Sequence, residues 1–269
     1  MALADDILAL SPHLYWKLDD PSGPAASDSS GNGHPGAYGG PFTLHQYGPE
    51  PGTFAAQFAA GGSVSATSYP QLSTTAWSVV FYASKNTLTT PTSGDEFVWG
   101  SRANTRGVVV SATNANLWQA SSWNTLKSPA NYNGTVPVWV KWWHAYALTF
   151  DGATGFTNYI DATPATGSFT GTFVPALATD QFSLNAIYPM VVAHLAAYDK
   201  LLTAAQITQI HSHRFDWPFG PMIDVTWPSP PAGGGGALSP TDPVVVDINV
   251  DLADIRKAVT HDYTTGPPP

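Results

Sequence analysis

The residues of this 269-residue chain best suited to holding a ligand cluster between Asn114 and Asn133. Trp118, Trp123 and Tyr132 stand there among Asn114, Asn116, Gln119, Asn124 and Asn131. Flat aromatic faces stack on the apolar side of a sugar ring, and amides exchange hydrogen bonds with its hydroxyls. A site of that kind combines apolar surface with a few placed polar groups. Arg102 and Arg106 precede the stretch and add donors. The expected ligand-binding set is Trp118, Trp123, Asn124, Asn131, Tyr132 and Arg102. The competing expectation is that Trp118 and Trp123 are core or subunit-interface residues, since ten tryptophans cannot all serve one ligand.

Other chemistries find less support. Glycoside hydrolysis needs two carboxyl groups facing each other, ~5–9 Å apart. The chain has two glutamates: Glu50 lies in a Pro-rich loop, and Glu96 follows Asp95, so on a strand these neighbours point to opposite faces. There is no Gly-x-Ser-x-Gly elbow, no cysteine and no His-Glu-x-x-His. His211 and His213 are two apart on an expected helix and share no face; His144 and His194 fall within expected strands, as core or edge residues. No catalytic residue and no cofactor is therefore expected. Asp28 and Asn32 supply the oxygen atoms that Ca²⁺ favours, in a Ser/Gly loop. The reading ranked ahead of calcium is an Asx turn that organises the loop.

The elements that must position these groups read as short strands. Leu14–Leu18 is one, closed by Asp19-Asp20-Pro21, and a turn-rich stretch follows from Ser22 to Gly40. Further strands are expected at Ala55–Phe58, Ser63–Ala66, Trp77–Ala83, Glu96–Gly100, Gly107–Ser111, Ala115–Gln119 and Val138–Phe150. Gly155–Ile160, Gly167–Phe173, Gln181–Asn185 and Val191–Tyr198 complete the set. Many short strands at near-regular spacing make a sandwich or barrel. Alternation from 143 to 150 puts Trp143, Ala145, Ala147 and Thr149 on one face and His144, Tyr146, Leu148 and Phe150 on the other. One short helix is expected: Thr203 is the N-cap, Ala204–His213 the helix, with Ile207 and Ile210 on one side, closing an end of the sandwich. Asp5 caps only a brief turn through Ile7 and Leu8.

Composition bounds the partners. Hydrophobic residues make up 43% and charged residues only 11%, with a net charge of −9. The ten Lys and Arg residues form no run, so neither nucleic acid nor an anionic membrane is an expected partner. No stretch of 18 apolar residues exists to span a bilayer, and no basic segment followed by an apolar run marks an export signal. Residues 1–215 are read as the sandwich and 216–243 as a Pro/Gly-rich linker or extended arm. Residues 244–269 are a small strand-helix unit, too short to fold alone, that docks or oligomerises.

Three segments in order carry a resemblance over roughly residues 10–215. They are Leu14-Tyr15-Trp16-Lys17-Leu18-Asp19-Asp20 with Asp28–Gly36, Trp143–Gly152 leading to Asn158-Tyr159-Ile160-Asp161, and Val192–Ile207. Together they resemble the laminin-G-like members of the concanavalin A-like lectin/glucanase superfamily, domains found in bacteriophage minor tail and other virion proteins. The resemblance implies an all-β, antiparallel jelly-roll sandwich and the option of a rim Ca²⁺. The Glu-x-Asp-x-x-Glu strand of the superfamily's laminarinase-type enzymes is absent. With the missing export signal, the resemblance implies a virion structural protein, assembled in the host cytoplasm and displayed on the particle surface. In that role it is a minor tail or receptor-binding component presenting a carbohydrate-binding-type module to host-surface glycan. Other virion subunits would hold it through residues 216–269, as a homo-oligomer. The alternatives are a capsid decoration protein with no ligand and, behind that, a glycan-degrading hydrolase.

Overall fold

The eight residues from Trp143 to Phe150 send alternate side chains into two separate cores. Tyr146, Leu148 and Phe150 join one hydrophobic cluster, and Trp143, Ala145 and Ala147 join another. The expected alternation is thus realised on a strand buried on both faces. A computed structural model describes residues 2–66, 76–85, 94–101, 106–112, 118–122, 130–132, 143–153, 155–168, 174–177 and 179–213. The chain divides into two units, Met1–Ile223 and Asp224–Pro269, and every described residue belongs to the first. The expected arm and C-terminal strand-helix unit lie outside the described residues.

The described strands build two antiparallel sheets. The first runs β14 (Thr163–Ser168), β13 (Gly155–Ile160), β12 (His144–Phe150), β7 (Trp77–Lys85), β16 (Met190–Tyr198), β5 (Phe54–Phe58) and β4 (Phe42–Tyr47), with β1 (Leu14–Trp16) also paired to β16. The second runs β11 (Ala130–Tyr132), β10 (Trp118–Ser122), β9 (Arg106–Ala112), β8 (Gly94–Ser101), β15 (Gln181–Asn185), β6 (Ser63–Ala66), β3 (Gly36–Gly39) and β2 (Ala25–Ala26).

An aromatic spine joins the sheets. Trp77 of the first lies 5.7 Å from Trp99 of the second, and Phe182 meets the edges of both Trp99 (5.2 Å) and Trp16 (5.5 Å). Edge and tilted contacts of this kind add about 0.5–1.5 kcal/mol each beyond area burial. The ring of Trp16 is pinned by its Nε1–H donating to the His34 carbonyl at 2.8 Å.

A third layer covers the other face of the first sheet. Helix α1 (Leu3–Ala9) contributes Leu3 and Ile7, and α2 (Ala204–His211) contributes Ile207 and Ile210; both sit on Val80, Tyr82, Ala145 and Tyr198. Thr203 caps α2 as expected, its hydroxyl accepting from the Gln206 amide while Gln206 Oε1 accepts from Thr203 N. The helix covers a sheet face, however, and does not close an end. The described residues hold two helices, because Asp5 stands in the first turn of α1 and reaches back to Ala2 N.

Several strand limits move. The turn-rich stretch contains β2 and β3, whose Gly and Ala residues carry too little apolar bulk to signal a strand. Of the strand expected at Gly167–Phe173, Gly167 and Ser168 fall in β14 and residues 169–173 lie outside the described residues, while β1 ends at Trp16 because Leu18 takes φ 64°. β4 escapes the sequence reading because a bulge interrupts its alternation.

Candidate ligand-binding site

That bulge builds the described surface best shaped for a ligand. Phe42 pairs with Phe58 and Thr43 with Gln57, but the next partners are Gln46 with Ala55 and Tyr47 with Phe54. Leu44 and His45 therefore oppose Ala56 alone, and His45 takes φ 62°. Leu44 packs on the inter-sheet core. The His45 ring sits 4.0 Å from the Phe54 ring, tilted 47°. Ala56 and Phe58 belong to the inter-sheet core and Ala55 to the cluster under the helices, so alternation puts Phe54 on the core side, at the rim. Tyr47 lies directly opposite it.

The result is a shelf of three rings. Tyr47 is 75% exposed and Phe54 36%, the two aromatics among the exposed large hydrophobic residues described. His45 is exposed as well. The hairpin tip is held by its own bonds: Gly48 N donates to Thr53 O (2.9 Å), Thr53 N to Glu50 O (3.1 Å), and Thr53 Oγ1 to Glu50 O (2.7 Å). Gly52 supplies the positive φ of 78° that the turn requires. Open ring faces beside a phenol hydroxyl and an imidazole suit a ligand with one apolar face and a polar rim.

The sequence-predicted site is brought together in part. Trp118 in β10 stands opposite Tyr132 in β11, and Gln119 opposite Asn131. Trp123, Asn124 and Arg102 lie outside the described residues.

Asp28 and Asn32 form the expected Asx-type knot. Asp28 Oδ1 accepts from the amides of Tyr15 (3.0 Å) and Ser30 (2.9 Å), and Oδ2 from the amide of His34 (2.8 Å) and the hydroxyl of Ser30 (2.9 Å). Asn32 Nδ2 donates to the carbonyls of Pro12 (3.2 Å) and His13 (3.0 Å). Both carboxylate oxygens face hydrogen-bond donors, the opposite of what a cation requires. Among the described residues no group of three His, Asp or Glu side chains converges as a metal site.

His144 and His194 are buried, as expected. His144 Nδ1 lies 2.6 Å from Asp161 Oδ2, while Asp161 Oδ1 accepts from Ala145 N at 2.9 Å. His211 Nδ1 accepts from Ala162 N at 2.7 Å, tying α2 to the β13–β14 turn. His144 and His211 thus tie neighbouring elements together.

No protein-family model matches the chain, and no curated protein matches it. Solved structures do. One is of botulinum neurotoxin type C, whose passage into cells depends on interaction with two ganglioside molecules (TM-score 0.60, 16% identity, 79% of this chain and 53% of that one). Another is the botulinum neurotoxin serotype D ligand-binding domain in complex with N-acetylneuraminic acid (TM-score 0.60, 10% identity, 79% and 52%). A third is the botulinum neurotoxin DC binding domain in complex with rat synaptotagmin II (TM-score 0.55, 16% identity, 76% and 52%). The fold is a lectin-type antiparallel β-sandwich. The chain spans about half the length of these structures, and at such identities the likeness is one of fold.

Proposed function

We propose that this chain is a non-catalytic module that binds glycan through the His45–Tyr47–Phe54 shelf. The observation that carries the reading is the pairing of exposed Tyr47 opposite Phe54, with His45 packed on Phe54, on the rim of a lectin-type sandwich. Three rings offer stacking faces to pyranose C–H groups, and the phenol and imidazole supply hydrogen bonds. A fold relative whose cell entry depends on interaction with gangliosides, and another in complex with N-acetylneuraminic acid, lend the ligand class support. The Trp118–Tyr132 pair is a second candidate surface.

The setting we favour is a bacteriophage virion, as a minor tail or receptor-binding component displayed on the particle surface and joined to other subunits through residues 216–269. The laminin-G-like resemblance, the low charge and the Pro/Gly-rich arm support it. A capsid decoration protein is the second reading, favoured by the same exposed rings, which a neighbouring subunit would cover. Light scattering of the full chain reads the self-association both settings require.

The deciding experiment is a glycan array on the full chain, followed by titration calorimetry of any hit with Tyr47→Ala and Phe54→Ala. Each substitution is expected to weaken binding about tenfold, as loss of about 1.4 kcal/mol of stacking implies, with the melting temperature nearly unchanged. An array with no hit favours the decoration reading. Binding that survives both substitutions moves the site to the Trp118–Tyr132 edge.

A further inference from the structure

His213 follows the end of α2 and meets two carboxylates at once. Its Nε2 is 2.6 Å from Asp6 Oδ2 of α1, and its Nδ1 is 3.1 Å from Glu50 Oε1 at the tip of the β4–β5 hairpin. Glu50 also accepts from the amide of Leu3 through both oxygens (3.2 and 3.3 Å). The three side chains are largely shielded, at 16% exposure for His213, 6% for Asp6 and 18% for Glu50. One ring thus joins α1, the end of α2 and the hairpin that carries the shelf.

Ionised carboxylates have no hydrogen to give, so both ring nitrogens must donate, and only the imidazolium has an N–H at each. From this geometry we propose that His213 is a proton-dependent clamp on the β4–β5 hairpin. Its protonated form ties Glu50 to the end of α2, and proton loss leaves the hairpin tip held to α1 by the Leu3 amide alone, loosening it.

The direction of release follows from the two contacts. Neutral imidazole keeps one N–H, and the shorter bond to the more buried Asp6 retains it. The Nδ1 lone pair is then left facing the Glu50 carboxylate, which repels it. The groups acting on the clamp are Asp6 from α1, Glu50 from the hairpin and Gln209 of α2, which reaches Asp6; His194 of β16 interacts with His213 through charge. The His213 bond also holds the Asp6 carboxyl below the usual carboxylate range, against the opposing effect of desolvation. Coupling of the clamp to glycan affinity rests on the shelf reading above; the clamp itself does not.

Hydrogen exchange on the full chain without ligand tests it, at about pH 5.5 and about pH 8.5, spanning the range in which histidine changes charge. The amides of Gly48 and Thr53, corrected for intrinsic rates, are compared with that of core residue Ala147. The expected result is about fivefold less relative protection of the hairpin amides at the higher pH. In His213→Gln, which cannot donate to both carboxylates, protection should be low and equal at both pH values. Glu50→Gln gives the same flat profile should His213→Gln fail to fold. A pH-independent ratio in the wild-type chain, or an unchanged pH dependence in the variants, overturns the clamp. Glycan titration at the same two pH values separates the two ideas. Exchange that shifts with no sugar bound at either pH keeps the clamp and removes the shelf reading. Sugar binding with exchange that does not shift does the reverse.

Discussion

The Tyr15 hydroxyl lies 2.6 Å from His194 Nδ1, at the point where strand β16 changes neighbours. Before His194, β16 pairs with β5; after it, β16 pairs with β1. The register against β7 slips between Ala193 and Ala196, and His194 takes φ 56° with its amide donating to Lys17 O. The ring is packed between Tyr15 and Tyr82.

Burial pushes the His194 imidazole down to about 3, helped by the charges of Lys17 and His213. The unfolded chain takes up a proton here below about pH 6.5 that the folded chain refuses until about pH 3. Stability is therefore full above pH 6.5 and falls as pH falls through that interval, by a few kcal/mol on the order of 1.4 per pH unit. Chemical denaturation from pH 7.5 to pH 4 should show this decline. His194→Asn tolerates the left-handed backbone and has no such titration, so its stability should change less over the same range.

Asp28 should respond in a different way. Burial raises its carboxyl, but the amides of His34, Ser30 and Tyr15 outweigh that and hold it below the usual carboxylate range. Its contribution is full above about pH 3.8 and is lost as pH falls below. Asp28→Asn turns an amide group against existing donors and should cost about 2 kcal/mol at neutral pH, measured by urea denaturation. Because both oxygens already accept hydrogen bonds, added calcium or a chelator should leave the melting temperature unchanged; a calcium-dependent rise would show that the loop rearranges to hold the ion.

Gly36 provides a packing test. A Cβ there would stand 2.8 Å from the Trp16 ring, which its bond to His34 keeps from swinging away. Gly36→Ala should destabilise by about 1–3 kcal/mol. Thermal melting checks this, and a Trp16→Phe background should absorb much of the penalty by making room for the methyl group.

The α2 cap is a fourth case. Thr203→Ala removes the acceptor for the Gln206 amide and should cost about 1 kcal/mol. Its hydrogen-exchange signature should be confined to the first turn of α2, since Ile207 and Ile210 remain packed on the sheet.

The sequence by itself determined the sandwich, because its strands are defined locally. Period-two alternation at 143–150 and the Thr203 cap both depend on near neighbours, and both appear as read. The Asp28–Asn32 knot was legible for the same reason. Tertiary structure alone decided that both helices lie on one sheet face, since short amphipathic segments fix their own apolar side but not the surface that receives it. It also decided the two features argued for function. The Tyr47–Phe54 shelf depends on a bulge at His45, which no alternation pattern predicts, and on an edge position set by strand order. The His213 clamp joins residues separated by 207 and 163 positions, a proximity that only packing of the helices on the first sheet creates.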